Sequence, residues 1–132
     1  PWLHIAEVVA EEALRRGFRR LGITGTRWLV DSDVYPAALA ARGLAWQCPT
    51  AAERDMLGRL IMDELVRGIF TPEALASFRQ VIQRMKEQGC DAVVLGCTEI
   101  PLLVDDDRSP LPTLDSTRLL ARAALQRALR PA

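Results

Sequence analysis

Apolar and polar positions along the chain follow two spacings, one typical of amphipathic helices and one typical of buried strands. Apolar residues recur at helical intervals in segments that predict helices over residues 2–16, 28–42, 51–67, 72–88, 98–104 and 116–129. Short, continuously apolar runs predict strands over residues 21–25, 44–48, 91–96 and 111–114. Pro36 falls inside the second helical segment, where it is expected to break the helix midway.

Residues at the predicted boundaries support this order of elements. Gly17 follows the first helix, where glycine commonly ends one. Thr50 and Glu53 have the spacing of a capping box before the third helix. Thr71 and Asp115 occupy the cap positions of two later helices. Because helices alternate with short apolar strands, the sequence predicts an α/β fold, a three-layer parallel sheet with crossover helices.

Composition restricts the class of protein and the class of partner. A chain of 132 residues with 49% hydrophobic content can bury the core of one domain. Seventeen Lys and Arg balance seventeen Asp and Glu, so no basic surface is available for nucleic acid and the expected partner is a small molecule. No apolar run reaches the roughly 18 residues that a membrane span needs, and Glu7 lies where a signal peptide would be apolar. We expect a cytoplasmic protein with no membrane contact.

Three cysteines, Cys48, Cys90 and Cys97, are the candidate reactive groups. Their odd number in a chain without secretory features predicts free thiols rather than disulfides. His4 is the only histidine and no Cys-x-x-Cys spacing occurs, so no metal site is expected. Cys48 ends a predicted strand, and Cys90 lies in a turn at the opposite edge of the sheet from any ligand. We interpret both as buried apolar residues.

Cys97 is the strongest candidate because it directly follows the most apolar predicted strand. In an open parallel sheet, ligands bind beyond the carboxyl ends of the strands, and this edge also carries Gly25 and Thr26. A thiol at the start of a helix faces backbone N–H groups and the positive end of the helix dipole, which predicts a lowered pKa. Glu99, two residues later, is placed to orient or exchange the thiol proton. A buried structural cysteine remains the alternative, and position alone names no reaction.

The residues around Cys97 also resemble a known signature. Residues 95–103, Leu-Gly-Cys-Thr-Glu-Ile-Pro-Leu-Leu, resemble the second-cysteine motif of the aspartate/glutamate racemase family. Further segments resemble family positions in the same order, at residues 1–5, 21–27, 63–68 and 112–117. Glutamate racemases proper have Cys-Thr-His at this motif and hydantoin racemases diverge after the cysteine. The Cys-Thr-Glu of this chain is therefore most similar to aspartate-type or broad-specificity members.

The resemblance implies a mechanism and a set of site residues. It implies a racemase that uses no cofactor and moves the α-proton of aspartate or glutamate with two cysteines, of which Cys97 would be one and Glu99 would tune its proton. The substrate's two carboxylates would need hydrogen-bond donors and a cation. The residues assigned to substrate binding are Thr98, Thr26, Arg27 and Arg67.

The resemblance also implies a domain organisation, the Rossmann-like or flavodoxin-like half of a two-domain enzyme. Residues 1–132 would form its carboxy-terminal part, with an α/β domain over about 17–104. A last strand and helix over about 110–130 would pack on the missing amino-terminal domain. The chain opens on Pro1 rather than Met, which predicts a piece of a longer protein, and the first family cysteine would lie upstream. We expect the full-length form to be a homodimer.

Two departures from the family pattern keep other functions open. The first cysteine is absent from these residues, and Leu120 stands where family members usually carry a histidine. One alternative is a non-catalytic α/β module that binds a carboxylate ligand or a protein partner. Another is a different cysteine-based member of the superfamily, such as a maleate isomerase or a decarboxylase.

Overall fold

The computed structural model describes residues 4–26, 29 and 32–130. The predictions made for Arg27 and for residues 1–3 therefore lie outside the described residues. The helices are α1 (Ile5–Arg15), α2 (Val34–Ala41), α3 (Ala51–Asp63), α4 (Pro72–Glu87), α5 (Ile100–Leu103) and α6 (Ser116–Ala128). The strands are β1 (Arg20–Thr24), β2 (Ala45–Gln47), β3 (Ala92–Leu95) and β4 (Thr113–Asp115). A 3-10 turn, Leu65–Arg67, lies between α3 and α4.

The strands form one parallel sheet in the order β2-β1-β3-β4. This is the flavodoxin-like order, in which the chain winds outward in both directions from the pair β1 and β3. Loops that leave β1 and β3 therefore diverge at the carboxyl edge of the sheet, which is where open parallel sheets bind their ligands. The predicted α/β class and parallel sheet are confirmed.

Each face of the sheet carries its own apolar core, which makes the fold three-layered. On one face, α3, α4 and α5 pack on β3 through Val93 and Leu95, with Phe78 of α4 fully buried. On the other face, α1 and α2 pack on β1 and β3, with Leu21 and Ile23 at the centre. The continuous apolar run of β3 is thus explained, because successive side chains enter opposite cores.

Several predicted helix boundaries are confirmed in detail. The capping box is present: the Glu53 N–H donates to Thr50 Oγ1, and the Thr50 N–H donates to Glu53 Oε1 at 2.9 Å. Thr71 caps α4 through the N–H of Ala74 at 3.0 Å. Gly17 follows α1 with a φ of 81°, a left-handed conformation that favours glycine.

Other predicted helices were too long. Within the segment expected over residues 28–42, α2 covers Val34–Ala41, so Pro36 lies in the first turn of that helix, where its missing N–H breaks no helical bond. The third helix ends at Asp63 and gives way to the 3-10 turn, which Gly68 closes with a φ of 77°. The helix expected over residues 98–104 is the single turn α5.

The last strand and helix complete this sheet and its outer layer. β4 pairs with β3 in the register Val93 with Thr113 and Leu95 with Asp115. α6 follows β4 directly and lies beside α1. Contact between α6 and a further domain stays a prediction. Over the described residues, no helix combines the length and apolar character needed to cross a bilayer.

Candidate active site

The carboxyl ends of β1 and β3 meet at two glycines. The N–H of Gly96 donates to the Thr24 carbonyl at 2.9 Å, which extends the pairing one residue beyond β3. A Cβ added at Gly96 would lie 2.6 Å from that carbonyl oxygen and would also clash with Leu29. A Cβ at Gly25 would lie 2.7 Å from the Leu29 side chain. Glycine at both positions therefore lets the strand ends approach closely, and the next residues, Thr26 and Cys97, leave the sheet side by side.

Cys97 and Glu99 form the pair on which the site is built. The turn after β3 brings the Cys97 Sγ and the Glu99 Oε2 to 2.8 Å, with the thiol donating to the carboxylate. Cys97 and Glu99 are both half-buried, and Cys97 packs against the core below α4 and α5. The backbone N–H groups of Glu99 and Ile100 also lie within reach of the sulfur. The sulfur thus has a proton acceptor and two backbone donors around it.

This geometry sets the resting protonation of the pair. Burial raises the pKa of the Cys97 thiol above its ordinary value, and the hydrogen bond to Glu99 raises it further, against the opposing effect of the two N–H groups. The pKa of Glu99 is lowered because its carboxylate accepts hydrogen bonds from Cys97 and Thr98. At neutral pH the pair is therefore a neutral thiol donating to an ionised carboxylate.

The expected lowering of the Cys97 pKa is wrong for this structure, first because the thiol is half-buried and then for two further reasons. The helix that was to stabilise a thiolate is the single turn α5, Ile100–Leu103, whose dipole is small. The nearest charge is the Glu99 carboxylate, which is negative and disfavours a second negative charge on sulfur. Sequence spacing alone does not reveal that the Glu99 side chain turns back onto the thiol.

The two threonines predicted to bind substrate both lie at this edge. Thr98 is exposed in the turn between β3 and α5, and its hydroxyl contributes to the lowered pKa of Glu99. Thr26 follows Gly25 and accepts a long hydrogen bond, 3.4 Å, from the Leu29 N–H. The structure therefore brings Thr26, Thr98 and the pair of Cys97 and Glu99 to the ends of neighbouring strands.

Of the two predicted cationic residues, Arg67 lies within the part of the chain that the structure describes. Arg67 ends the 3-10 turn before α4, and its side chain is exposed. α4 runs back to the amino end of β3, so its start, and Arg67 before it, lie toward the edge that carries Cys97. Arg27 lies outside the described residues.

The other cysteines have different surroundings. Cys90 is 4% exposed and lies just before β3, at the amino edge of the sheet, as predicted. Burial raises the pKa of its thiol, an effect that the neighbouring Arg20 partly offsets. Cys48 is half-buried against the core of α1 and α2 rather than fully buried. Across residues 4–26, 29 and 32–130, no group of three or more acidic, His or Cys side chains is arranged to hold a metal ion.

Two buried hydroxyls near the site were missed from sequence. Thr24 Oγ1 donates to the Val94 carbonyl at 2.7 Å, and Ser116 Oγ donates to the Leu95 carbonyl at 2.9 Å. Both residues are fully buried. In the sequence, each of these two residues is a polar residue at the end of an apolar strand. A polar residue in that position is also expected as a helix cap, so the pattern does not indicate a buried hydroxyl. They brace the last two carbonyls of β3, directly before the turn that holds Cys97.

A cleft of about 370 Å³ beside β4 is a separate surface. Charged residues of α1, α6 and the loop after α5 line it, including Glu12, Arg16, Asp105 and Arg118, and it reaches Leu95 but not Cys97. The thiol instead faces the edge of the sheet.

Comparisons with known proteins agree on one family. The family model described as Asp/Glu/Hydantoin racemase matches residues 1–124. A glutamate racemase from Thermus thermophilus is 34% identical over 122 residues, which are 86% of this chain and 42% of that protein. The crystal structure of a proposed Asp/Glu racemase from Yersinia pestis superposes with a TM-score of 0.93 at 33% identity, over 98% of this chain and 57% of that one. An aspartate racemase homologue from Pyrococcus horikoshii gives 0.90 at 30% identity, with the same coverage. The chain thus spans less than half of the curated relative and little more than half of the solved structures.

Proposed function

This chain belongs to the Asp/Glu/hydantoin racemase family, and we propose that it supplies one of the two proton-transferring thiols, Cys97, of an amino-acid racemase that needs no cofactor. The observation that carries the proposal is the Cys97 and Glu99 pair, with 2.8 Å between sulfur and carboxylate oxygen, at the carboxyl edge of β3. That edge is where open parallel sheets bind their ligands.

Racemisation without a cofactor requires two proton-transferring groups on opposite faces of the α-carbon. One group removes the weakly acidic α-proton while the other delivers a proton from the far side, and the roles reverse for the other enantiomer. The described residues offer Cys97 for one face. The second thiol would come from a segment outside these 132 residues, which agrees with the greater length of the relatives.

Glu99 gives the thiol a way to change its protonation state. In one direction the neutral Cys97 thiol donates its proton to the carbanion, and Glu99 supports the sulfur from behind. In the other direction Glu99 accepts the thiol proton, and the thiolate so formed removes the α-proton. The N–H groups of Glu99 and Ile100 stabilise that thiolate. The pair therefore lets one sulfur serve as both acid and base.

Substrate binding is assigned to the loops beside the pair. Thr98 would hold the α-carboxylate through its N–H and hydroxyl, and Thr26 would line the same crevice from β1. A dicarboxylic amino acid also needs a cation for its side-chain carboxylate. Arg67 and Arg27 are the candidates within this chain.

The substrate proposed is aspartate or glutamate, and the setting proposed is the cytoplasm. The relatives named as aspartate and glutamate racemases support this substrate class. The Glu at position 99 favours an aspartate-type or broad-specificity enzyme. Free thiols persist in the reducing cytoplasm, which suits a reaction that requires both sulfurs reduced. A homodimer is proposed for the complete protein.

The direct test is α-proton exchange in heavy water. The protein extended upstream to the length of its relatives is incubated with single enantiomers of aspartate, glutamate and several other amino acids. We expect the opposite enantiomer to form with deuterium at its α-carbon. The 132-residue chain alone should match the buffer rate, because one thiol serves only one face.

Two results would contradict this function. Turnover by the 132-residue chain alone would remove the need for a second thiol. If the extended protein deuterated none of the amino acids, the racemase assignment would fail, and cis-trans isomerisation of maleate would be assayed next.

A further inference from the structure

The side chain of Leu29 lies over the ends of β1 and β3, and the racemisation chemistry assigns it no role. A Cβ added at either Gly25 or Gly96 would clash with the Leu29 Cδ2 atom. The side chain is half-buried and packs against the core of α1 and α2. One apolar side chain thus bridges the residues that directly follow the two central strands.

The backbone of Leu29 is anchored on both sides. Its N–H donates a long hydrogen bond, 3.4 Å, to Thr26 Oγ1. Its carbonyl accepts a hydrogen bond from the Ser32 hydroxyl at 2.9 Å. The side chain therefore reaches the two glycines from a held position, and Thr26 is connected to the residue that packs on Gly96.

Leu29 and Cys97 pack on opposite faces of the sheet. Leu29 belongs to the core of α1 and α2, whereas Cys97 packs against the core of α3, α4 and α5. Successive residues of an extended strand point to opposite faces, so Gly96 faces Leu29 and the next residue faces away from it. An effect of Leu29 on the thiol must therefore pass through the backbone at Gly96.

We propose that Leu29 is a positioning residue, whose side chain holds the turn after β3 against the segment after β1 and so keeps Cys97 in contact with Glu99. This inference rests on the proposed function, because it concerns the reacting thiol. The physical reason is that the hydrogen bond between Cys97 and Glu99 depends on the backbone that starts at Gly96. Without the Leu29 side chain that backbone gains freedom, and the thiol-carboxylate contact is populated less.

Gly25 offers a second way to displace Leu29. The φ of Gly25 lies outside the left-handed region, so its backbone conformation suits other residues. A Cβ at Gly25 would lie 2.7 Å from Leu29 Cδ2, whereas the next atoms are 3.6 Å away, an ordinary contact. Gly25→Ala should therefore push the Leu29 side chain aside, and should have no such effect once that side chain is truncated.

The test measures the pH profile of Cys97 alkylation by iodoacetamide in the folded 132-residue chain, and modification of each cysteine is followed by peptide mass. The variants are Leu29→Ala, Gly25→Ala, the double variant and Leu29→Met, which conserves side-chain volume. Leu119→Ala is the matched control, because Leu119 is also half-buried against the core of α1 and α2 but lies in α6. Unfolding by urea establishes that all variants remain folded and ranks their stability.

We expect Leu29→Ala to shift the midpoint of Cys97 alkylation to lower pH, because looser contact with Glu99 favours the thiolate. The rate at neutral pH should rise about threefold, since thiolate is the reacting species. Gly25→Ala should shift the midpoint in the same direction, and the double variant should match Leu29→Ala, as for two changes that act on one contact. Leu29→Met should keep the parental midpoint, and Leu119→Ala should lower stability without moving it.

An unchanged midpoint in Leu29→Ala, or an equal shift in Leu119→Ala, would overturn the proposal. A further shift when Gly25→Ala is added to Leu29→Ala would also overturn it, because the two changes would then act on different contacts. So would a change confined to the high-pH plateau, which reports access to the sulfur rather than its position. No amino acid enters this experiment, so failure of the racemase assignment and failure of the positioning role are separate outcomes.

Discussion

At the scale of single residues, the site depends on the direction in which the Glu99 side chain points. Glu99 lies two residues after Cys97, a spacing at which helical side chains do not face each other, and as an ordinary first-turn residue it would point to solvent. In the structure its carboxylate accepts a hydrogen bond from the Cys97 thiol at 2.8 Å, which adds to the effect of burial in raising the Cys97 pKa. The residue types and their position at the strand end were predictable from sequence. The side-chain direction was not, because it depends on the turn between β3 and α5.

Glu99→Gln should change the chemistry of Cys97 in two opposite ways. Removing the negative charge lowers the Cys97 pKa toward its ordinary value, so iodoacetamide should react faster near neutral pH. Racemisation by the extended protein should nevertheless slow by about 10²- to 10⁴-fold, the contribution typical of a positioned proton-transfer group. Thr117→Val, an exposed change in α6, serves as the matched control. Faster alkylation together with an unchanged kcat would reduce Glu99 to an electrostatic neighbour of the thiol.

At the scale of secondary-structure elements, local capping chemistry was the most informative signal in the sequence. The capping box at Thr50 and Glu53 and the cap at Thr71 occur where spacing predicted them, since cap geometry is decided within four residues. Helix lengths were less predictable. Apolar spacing continues through residues 64–67, but α3 ends at Asp63 and a 3-10 turn follows. Periodicity alone therefore does not locate the end of that helix.

Glu53 also joins α3 to α4, which gives a pH-dependent stability. Partial burial alone would raise the Glu53 pKa, but hydrogen bonds from Arg84 and Thr50 lower it overall. A lowered carboxylate pKa contributes stability above the ordinary value of 4.5, and that contribution is lost as pH falls through the folded-state value. Glu53→Gln should therefore cost about 0.5 to 1 kcal/mol at neutral pH, as for a partly exposed ion pair.

The measurement is urea unfolding of Glu53→Gln and its parent at neutral and acidic pH. Glu73→Gln is the control, because Glu73 is an exposed acid in the first turn of α4. The difference between Glu53→Gln and its parent should disappear at acidic pH. A difference that stayed constant with pH would contradict the role of the charge.

At the scale of the whole molecule, the alternation of helices and strands predicted the parallel sheet. The family resemblance predicted the reaction proposed at its carboxyl edge. Strand order was not readable from the sequence, because it depends on which way each crossover winds. That order, β2-β1-β3-β4, is what brings Thr26 and Cys97 to neighbouring strand ends. For the last helix, the sequence did not show which apolar side chains pack within this chain. Leu119 packs on the α1 layer, whereas Leu125 remains 60% exposed.

The central claim is that Cys97 serves one face of the α-carbon and a second thiol serves the other. Cys97→Ala in the extended protein tests it most directly, with each enantiomer of the best substrate supplied separately in heavy water. We predict that racemisation is abolished, while the remaining thiol still exchanges the α-proton of one enantiomer without inverting it. Cys90→Ala, which removes a buried thiol at the opposite edge, should leave racemisation intact. Racemisation retained at the parental rate in Cys97→Ala would contradict the account.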